Sequence, residues 1–459
     1  MEEKLIVIGL DSAPPSLLLG RFLDQLPTIK QLSKEGMSGS LSSCHPPITV
    51  PAWMVMMTGQ DPGKLGIYGF RKRKPGTYNE VLLPSSHDVK EPKVWDIAAE
   101  KGLRSCVIGI PPTYPPKPIN GCLITDFMTP GVDREYTYPP QLKQEIQKLI
   151  GEYIFDVTFR KENRDEVLQG IIEMTEKRFK VAKHLLQSNK FNLFILMEIG
   201  LDRMHHAFWK YFDKEHHLYQ PGNKYENTLL EYYKLLDEKI GELLAAVKGG
   251  YNVLIVSDHG AKRMKGAFCV NQWMMEEGYL KLRKEPKVVT PIEKADVDWS
   301  RTRAWGWGGY YARIYINLEG REPNGVVKRS EYESFREELA ESLKNIRGPN
   351  GERWETKVYK PEELYEEING DPPDLIVYFD DLYWRSAGTI GHYGNYLPEN
   401  DTGPDDAVHD YDGVFILWNN EGNIERKNLN ASIYQITPTI LQLLRINPEK
   451  HHKNPPLPL

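Results

Sequence analysis

Several acidic residues and histidines follow directly after short apolar runs of the sequence. Asp11 comes after LIVIGL, and Asp258 and His259 come after NVLIVS in the motif SDHG. Asp202 and His206 follow FNLFILMEIG and are four residues apart, so one helical turn would present both side chains on the same face. Carboxylates and imidazoles that meet at strand ends are typical ligands of divalent metal ions. The pattern therefore predicts a metal site with mixed oxygen and nitrogen ligands.

Each of these residues also has a simpler interpretation on its own. An Asp that follows a strand often caps the next helix, and a single His is more often a structural residue than a ligand. Their joint occurrence after apolar runs favours the metal site, and SDHG is the more specific of the two motifs.

The stretch PPITVPAWMVMMTGQDPGKLGIYGF contains a hydroxyl that could act as a nucleophile. Pro51 is well tolerated at the first position of a helix, so we predict a helix from there to about Thr58 and Gly59, with Thr49 at its N-terminus. Free backbone N–H groups and the positive end of the helix dipole would favour a Thr alkoxide and a phosphoryl oxygen at this place. The alternative interpretation of Thr49 is an ordinary helix N-cap, and Trp53 is interpreted as core packing.

The apolar runs themselves predict a parallel β-sheet. LIVIG, SCVIGI, FNLFILME, NVLIVS, DLIVYF and GVFILW are apolar at successive positions, as strands covered on both faces are. Helical periodicity extends over residues 165–188 and 225–248, and each of these segments precedes one of the strands. Strands and helices that alternate in this way predict a doubly wound α/β fold with a mostly parallel sheet flanked by helices, in which ligands bind at the carboxyl ends of the strands.

The alternation of apolar strands and helices becomes irregular between Gly260 and about Gly391, where a Pro-rich stretch, a Trp/Gly cluster and a separate strand ARIYINL occur. We predict an accessory α+β subdomain at residues 262–390, inserted into a core formed by residues 1–261 and 391–446. Residues 447–459 are predicted to form a C-terminal tail. The aromatic residues at 305–311 are interpreted as packing against the core, with a substrate-stacking surface as the alternative.

Length and composition are those of an ordered globular protein. The chain has 459 residues, of which 40% are hydrophobic and 11% aromatic, and its formal charge is −6 with only short basic clusters. These values disfavour a disordered chain and a protein that binds nucleic acid duplexes. The four cysteines are spread singly, which disfavours a zinc ribbon or a disulfide framework. No signal peptide is readable and no apolar stretch approaches the ~20 residues of a membrane span, so a cytoplasmic location is expected.

The motifs taken together resemble a known enzyme family. LDSAPP near the start, the segment around TVPAW, SDHG, and HDYDGVFIL near the end are similar to motifs of the alkaline phosphatase superfamily, specifically its type I phosphodiesterase/nucleotide pyrophosphatase branch. The stretches IYINLEGREPNG and PDLIVYF resemble features of the prokaryotic phosphodiesterase members. The resemblance implies an alkaline-phosphatase-like fold and a metal-dependent hydrolase of phosphate esters, with phosphodiesters as the expected substrates.

The resemblance also implies a role for particular residues. Two divalent metal ions would be bound, one by Asp11, Thr49, Asp258 and His259, and the other by Asp202, His206 and His409. Thr49 would attack the substrate and form a phospho-threonine intermediate. The ligand types favour Zn²⁺, with Mn²⁺ as the second choice. His392 in GHYGNY is the alternative to His409, and His205 is the alternative to His206.

The sequence departs from this family where nucleotide pyrophosphatases hold a phosphoryl oxygen with an Asn. The corresponding stretch is GIYGFRKR, with Phe70 in place of that Asn and Leu65 where many relatives have His. Nucleotides are therefore less strongly implied than phosphate esters in general. Arg71 and Arg73 are predicted to bind the substrate instead, since a guanidinium pairs with two phosphate oxygens at once, and a solvated charge run is the alternative.

Other functions of the same superfamily fit less well. A sulfatase-like protein needs the motif C-x-P-x-R, whereas Cys44 begins CHPPI, and a phosphoglycerate mutase-like protein has a Ser nucleophile and D-H-G-N, whereas Ala261 follows here. A phosphomonoesterase and a non-catalytic protein that binds a phosphoryl ligand stay open as alternatives. The sequence gives no indication of the oligomeric state.

Overall fold

A mostly parallel β-sheet lies at the centre of the protein, whose structure is a computed structural model that describes residues 4–188, 190–448 and 454–459. The strands, numbered in chain order, are β1 (Leu5–Leu10), β2 (Met37–Ser42), β3 (Lys72–Arg73), β4 (Val81–Leu82), β5 (Ser105–Ile108), β6 (Gly121–Ile124), β7 (Thr137–Tyr138), β8 (Leu193–Glu198), β9 (Asn252–Val256), β10 (Gly260–Arg263), β11 (Gly266–Cys269), β12 (Thr290–Pro291), β13 (Ala304–Trp307), β14 (Ala312–Ile316), β15 (Lys357–Tyr359), β16 (Leu375–Tyr378), β17 (Trp384–Ala387), β18 (Thr389–Ile390), β19 (Tyr396–Leu397), β20 (Ala407–Asp410), β21 (Asp412–Asn419), β22 (Lys427–Asn428) and β23 (Ala431–Ser432).

The α-helices are distributed along the whole chain. In chain order they are α1 (Pro27–Glu35), α2 (Thr49–Thr58), α3 (Pro62–Leu65), α4 (Val94–Glu100), α5 (Leu142–Ile150), α6 (Arg164–Ser188), α7 (Gly200–Phe212), α8 (Thr228–Ala245), α9 (Val270–Glu276), α10 (Tyr332–Lys344), α11 (Pro361–Leu364) and α12 (Ile436–Leu443).

The central sheet has β1 in its middle. Among the described residues it contains ten strands in the order β22–β2–β21–β9–β1–β8–β5–β6–β7, with β23 beside β2. Parallel pairing joins β9 to β1, β1 to β8, β8 to β5 and β5 to β6. β21 is antiparallel to both β9 and β2, and β7 is antiparallel to β6. The predicted doubly wound α/β fold with a mostly parallel sheet is therefore confirmed.

Both faces of this sheet are covered, which explains why its strands are apolar at successive positions. In β1, Ile6 and Ile8 belong to the core on the side of α1, α6, α7 and α8, whereas Leu5 and Val7 belong to the core on the side of α2, α4 and α12. All six residues of β1 are buried. Burial of an aliphatic side chain contributes about 1.5–3 kcal/mol, so the sheet and its two helical layers stabilise each other.

The predicted helices are present, with shifted ends. The segment predicted at residues 165–188 is α6, and the segment predicted at 225–248 is the shorter α8. The helix predicted to begin at Pro51 begins two residues earlier, at Thr49, and Ile48 occupies the N-cap position. Pro51 is tolerated at the third helical position because the first N–H groups of a helix have no partner within it. Thr49 is therefore the first residue of α2 and not its N-cap.

A separate antiparallel sheet is formed by β13, β14, β16 and β15. The predicted strand ARIYINL is β14, but DLIVYF, which was expected in the parallel sheet, is β16 of this second sheet. Its residues alternate between two apolar clusters, one containing Leu375 and Val377 and the other Ile376 and Tyr378. Because β16 is covered on both faces, its apolar pattern is the same as that of a parallel core strand.

The second sheet also contacts residues from the first part of the chain. Tyr78, between β3 and β4, packs edge-to-face on Trp305 of β13 with the ring centroids 5.5 Å apart. The boundaries of the accessory subdomain at residues 262 and 390 stay a prediction. In the predicted tail, Leu457 is buried and its backbone N–H donates to the Thr439 hydroxyl of α12 at 2.8 Å.

In the part of the chain that the structure describes, none of the helices combines the length and the apolar character needed to cross a lipid bilayer. The cytoplasmic location expected from the sequence stays a prediction.

Replacement of Gly9 by Ala tests how closely α2 packs on the central sheet. A Cβ at position 9 would lie 2.1 Å from Cη2 of the Trp53 indole, so the buried ring or the strand would have to move. We expect Gly9→Ala to lower the free energy of unfolding by about 1–3 kcal/mol, measured by urea denaturation. Gly394→Ala is the matched control, since a Cβ there meets no described heavy atom within 4 Å. Equal stabilities of the two variants would contradict this packing.

Candidate metal centre

The predicted ligands lie at the carboxyl ends of three neighbouring parallel strands. Asp11 directly follows β1, and Asp258 and His259 follow β9 after one residue. Asp202 and His206 lie on α7, which begins two residues after β8 ends. Since β9, β1 and β8 are adjacent and parallel, their ends meet at one edge of the sheet.

One cluster is formed by Asp11, Asp258 and His259, which offer ligand atoms within 4.8 Å of one another and are fully buried. His259 Nε2 lies 3.1 Å from Asp258 Oδ2 and 3.7 Å from Asp11 Oδ1. The hydroxyl oxygen of Thr49 lies 3.2 Å from His259 Nε2 and 3.5 Å from Asp11 Oδ1. The structure therefore brings Thr49 together with this cluster.

The second cluster is formed by Asp202, His206 and His409. His206 Nε2 lies 3.2 Å and His409 Nε2 lies 3.8 Å from Asp202 Oδ1. His409 reaches the site on β20, where it pairs with Ala261 of β10. Its ring stacks on that of His259 with the centroids 3.8 Å apart, so the two clusters adjoin each other.

Hydrogen bonds fix the orientation of all three imidazoles. The Nδ1–H group of His259 donates to the carbonyl of Gly260 at 2.9 Å, and that of His409 donates to the carbonyl of Pro47 at 3.0 Å. His206 Nδ1 lies 2.8 Å from Asp405 Oδ1. A proton on each Nδ1 leaves the Nε2 lone pair directed at the carboxylates, as in metal sites where a second acceptor sets the tautomer.

The carboxylates are held in the same way. The indole N–H of Trp53 donates to Asp11 Oδ2 at 2.7 Å, and the backbone N–H of Ser12 donates to Asp258 Oδ1 at 3.1 Å. Arg203 donates to Asp202 Oδ2 at 2.7 Å. In each pair one carboxylate oxygen is engaged and the other faces a ligand histidine.

The atoms that face the centre of the site are lone-pair acceptors. Asp202 Oδ1, His206 Nε2 and Asp258 Oδ2 are buried, and none has a hydrogen-bond donor among the described residues. Buried acceptors that face one another without a donor are unfavourable, and a cation between them supplies what is missing. The residues present therefore fit divalent metal ions.

The pKa directions of Asp11, Asp258 and His259 agree with this requirement. Burial, together with the nearby charge of Asp202, raises the pKa of Asp11 well above its ordinary value, and burial with the charge of Asp11 does the same for Asp258. Burial lowers the pKa of His259 to about 4, so its imidazole is neutral at pH 7. Without a cation, several carboxylates in one buried site repel each other, whereas a bound metal stabilises both carboxylates and neutral imidazoles.

The alternative histidines lie outside the clusters. The His205 Nε2 atom is 3.0 Å from the hydroxyl of Tyr233, and burial lowers the pKa of His205 to about 3. The His392 Nε2 atom is 2.7 Å from the hydroxyl of Thr389. Among these candidates, the structure places only His206 and His409 with Asp202.

A cleft lies beside the metal-ligand clusters. It is lined by Ile48, Gly69, Phe70, Arg71, Phe127, Phe159, Arg160, Arg203, Gly308, Gly309, Tyr310, Tyr311, Arg313 and Arg385. The Tyr310 ring stacks on those of His409 and His206, with centroid distances of 4.0 and 4.8 Å. The interpretation of residues 305–311 as packing holds for the buried rings of Trp305 and Trp307, but Tyr310 and Tyr311 line the cleft.

The two arginines predicted to bind substrate lie in different environments. Arg71 is exposed and lines the cleft. Arg73 is buried, and its guanidinium forms ion pairs with Glu322 and Asp371. Because these two carboxylates engage Arg73, the geometry does not support the expected contact between Arg73 and substrate.

Trp53 and Asp405 take part in the site in ways that the sequence analysis did not include. Trp53 was interpreted as packing. It is four residues after Thr49 on the same helix, and this spacing could have indicated that both side chains lie on the face directed at the site. Asp405 is buried and contacts His206, Arg160 and Arg385. In the sequence, Asp405 could have been recognised from the acidic pair in DDAVH, which shortly precedes His409, the last predicted ligand.

Comparison with solved structures shows the same fold in two phosphoryl-compound enzymes. Murine ectonucleotide pyrophosphatase/phosphodiesterase 5, as an inactive threonine-to-alanine variant in complex with AMP, is 14% identical with a TM-score of 0.57 over 97% of this chain and 96% of that chain. Phosphonoacetate hydrolase from Sinorhizobium meliloti 1021, in complex with phosphonoformate, is 16% identical with a TM-score of 0.60 over 96% of each chain. A comparison with curated proteins found no significant match.

The sequence matches the family described as type I phosphodiesterase/nucleotide pyrophosphatase over residues 5–405. The matched range ends just before His409, so the position of this histidine beside Asp202 is a finding of the structure. Because the match covers most of the sequence and the fold agrees, the chain belongs to the type I phosphodiesterase/nucleotide pyrophosphatase family, a family of metal-dependent phosphoric ester hydrolases in the alkaline phosphatase superfamily.

Proposed function

We propose that this chain hydrolyses phosphodiesters at a two-metal site with Thr49 as the nucleophile. The observation that carries the proposal is the position of the Thr49 hydroxyl, which lies within 3.5 Å of both Asp11 and His259 at the first residue of α2. A hydroxyl in contact with a ligand cluster is the arrangement that a metal-activated nucleophile requires.

The ligand clusters provide for two divalent cations. Asp11, Thr49, Asp258 and His259 would hold one ion, and Asp202, His206 and His409 would hold the other. Sets of carboxylate oxygens and imidazole nitrogens favour Zn²⁺, with Mn²⁺ as the second choice. Such ions lower the pKa of a hydroxyl that they contact and neutralise charge on phosphate oxygens.

The steps at Thr49 follow from its position. After its proton is lost to solvent, the Thr49 oxygen forms a bond to phosphorus while the bond to the leaving alkoxide breaks, which gives a phospho-threonine. Water then hydrolyses this intermediate and regenerates the hydroxyl. The backbone N–H of Val50, in the first turn of α2, has no helical acceptor and is available to a phosphoryl oxygen.

The walls of the cleft favour diesters over monoesters. Phe70, Phe127 and Phe159 line the cleft beside the metal-ligand clusters together with five arginines, so the cleft offers both apolar and cationic surface to a second ester group. The two structural neighbours carry AMP and phosphonoformate, which are both phosphoryl compounds. Faster turnover of bis(4-nitrophenyl) phosphate than of 4-nitrophenyl phosphate or 4-nitrophenyl sulfate would separate a diesterase from the monoesterase and sulfatase-like alternatives.

Replacement of Thr49 tests the nucleophile directly. We expect Thr49→Ala to lower the turnover of bis(4-nitrophenyl) phosphate by at least about 10³-fold, because the phospho-threonine cannot form. Metal content, measured by mass spectrometry, should stay close to that of the wild type, since Thr49 is one ligand among several. Thr58→Ala, at the other end of the same helix, is the control and should keep its activity. Undiminished turnover in Thr49→Ala would refute the assignment.

The hydrogen bond from Trp53 to Asp11 gives a second prediction. In Trp53→Phe the core keeps an aromatic ring but Asp11 loses its donor, so we expect zinc affinity to fall by about 10–100-fold in a competition titration with a chromogenic chelator. Trp305→Phe is the matched control, because the buried indole N–H of Trp305 has no hydrogen-bond partner among the residues described. Equal zinc affinities for the two variants would show that Trp53 does not position Asp11.

A further inference from the structure

Three arginines converge on one side of the cleft. Arg71 lies in the segment after α3, Arg313 on β14 and Arg385 on β17, and all three also line an adjoining pocket. A pair of backbone hydrogen bonds between Gly309 and Ser386, each 2.9 Å long, holds the β14 and β17 sides together. This pairing joins the backbone segments that carry Arg313 and Arg385.

The positive charge of this cluster is only partly compensated. In the described part of the chain no carboxylate forms a salt bridge with Arg71 or Arg313, and Arg385 has one, 3.3 Å from Asp405. Arg313 donates instead to the backbone carbonyl of Arg71 at 2.6 Å.

Several donors around the adjoining pocket have no acceptor. Arg313 Nε, Arg385 Nε, Trp307 Nε1 and Ser386 Oγ are buried, and none has a hydrogen-bond partner among the described residues. Arg313 is 7% exposed and Arg385 is 6% exposed, so these groups are largely shielded from bulk water. All four residues line the pocket, which points to an acceptor-rich ligand.

Two carboxylates mark the limits of this site. Glu293 and Asp401 also line the adjoining pocket, and Asp401 accepts a hydrogen bond from the hydroxyl of Thr389 at 2.7 Å. Because these carboxylates repel an anion, an anion is favoured beside the arginines. The arginines line both the adjoining pocket and the cleft beside the metal-ligand clusters.

We propose that Arg71, Arg313 and Arg385 bind a second anionic group of the substrate, a carboxylate or a phosphate, in addition to the phosphoryl group that is cleaved. The inference rests on the proposed function, since it assigns one arm of the phosphodiester to this site. Guanidinium groups pair with two oxygens of either anion at once, which makes them more selective than a point charge. The substrate class is then a phosphodiester with one anionic arm, and a cationic arm is disfavoured by like charge.

The test compares four diesters that share the 4-nitrophenolate leaving group. Their second arms are ethyl, 2-carboxyethyl, 2-phosphoethyl and 2-(trimethylammonio)ethyl. We expect kcat/KM of the wild-type enzyme to be about tenfold or more higher for at least one anionic arm than for the ethyl arm, and lowest for the cationic arm. The faster of the two anionic substrates identifies the group that the site takes.

Variants connect this preference to the arginines. Arg71 is exposed, so Arg71→Ala should fold, and we expect the ratio of kcat/KM between the anionic and ethyl substrates to fall towards one. A ratio measured on one preparation does not depend on the folded fraction. Arg71→Lys should keep part of the preference, and Arg313→Lys should lower it. Arg134→Ala, which changes an exposed arginine outside the cleft and the adjoining pocket, should keep the wild-type ratio.

Two results would overturn the inference and leave the proposed function intact. One is hydrolysis of the ethyl substrate by the wild type with no preference for either anionic arm. The other is an unchanged preference in both Arg71→Ala and Arg313→Lys. Failure to hydrolyse any of the four diesters would instead overturn the proposed function and, with it, the anion site.

Discussion

Buried acceptors that face one another are the constraint on which the rest of this structure depends. Asp11, Asp202 and Asp258 lie with three histidines in a region almost free of solvent, and Asp202 Oδ1, His206 Nε2 and Asp258 Oδ2 have no hydrogen-bond partner among the described residues. In a medium of low polarity such an arrangement is costly, and divalent cations relieve it. The same electrostatics that make metal binding favourable make the site suitable for stabilising charge on a phosphoryl group.

Two kinds of contact, strand pairing and side-chain hydrogen bonds, hold these residues in place. Adjacent parallel strands deliver most of the ligands to one sheet edge, and the pairing of β20 with β10 adds His409 from late in the chain. Hydrogen bonds donated by Trp53 and Arg203, and one that Asp405 accepts from His206, then fix which atom of these ligands faces inward. Hydrogen bonds of this kind orient the ligand atoms and thereby strengthen metal binding.

Local sequence patterns predicted the fold class and the positions of Asp11, Asp202, His206, Asp258 and His259 after strands, because both depend on short-range features, whereas His409 was implied only by the family resemblance. An Asp after a buried strand stays at that strand's end in any α/β sheet. The membership of β16 in the second sheet and the antiparallel direction of β21 could not be predicted, since a strand buried on both faces has the same apolar pattern in either setting. The environment of Arg73 depends on Glu322 and Asp371, which are distant in sequence and adjacent only after folding.

In the proposed site, two cations share this pocket with one threonine oxygen. Anomalous diffraction at the zinc absorption edge, from crystals of the wild-type protein grown with Zn²⁺, tests it most directly. We predict two peaks, one at coordination distance, about 2.0–2.2 Å, from Asp11, Asp258, His259 and Thr49, and one at the same distance from Asp202, His206 and His409. A single peak, or peaks away from these residues, would contradict the account.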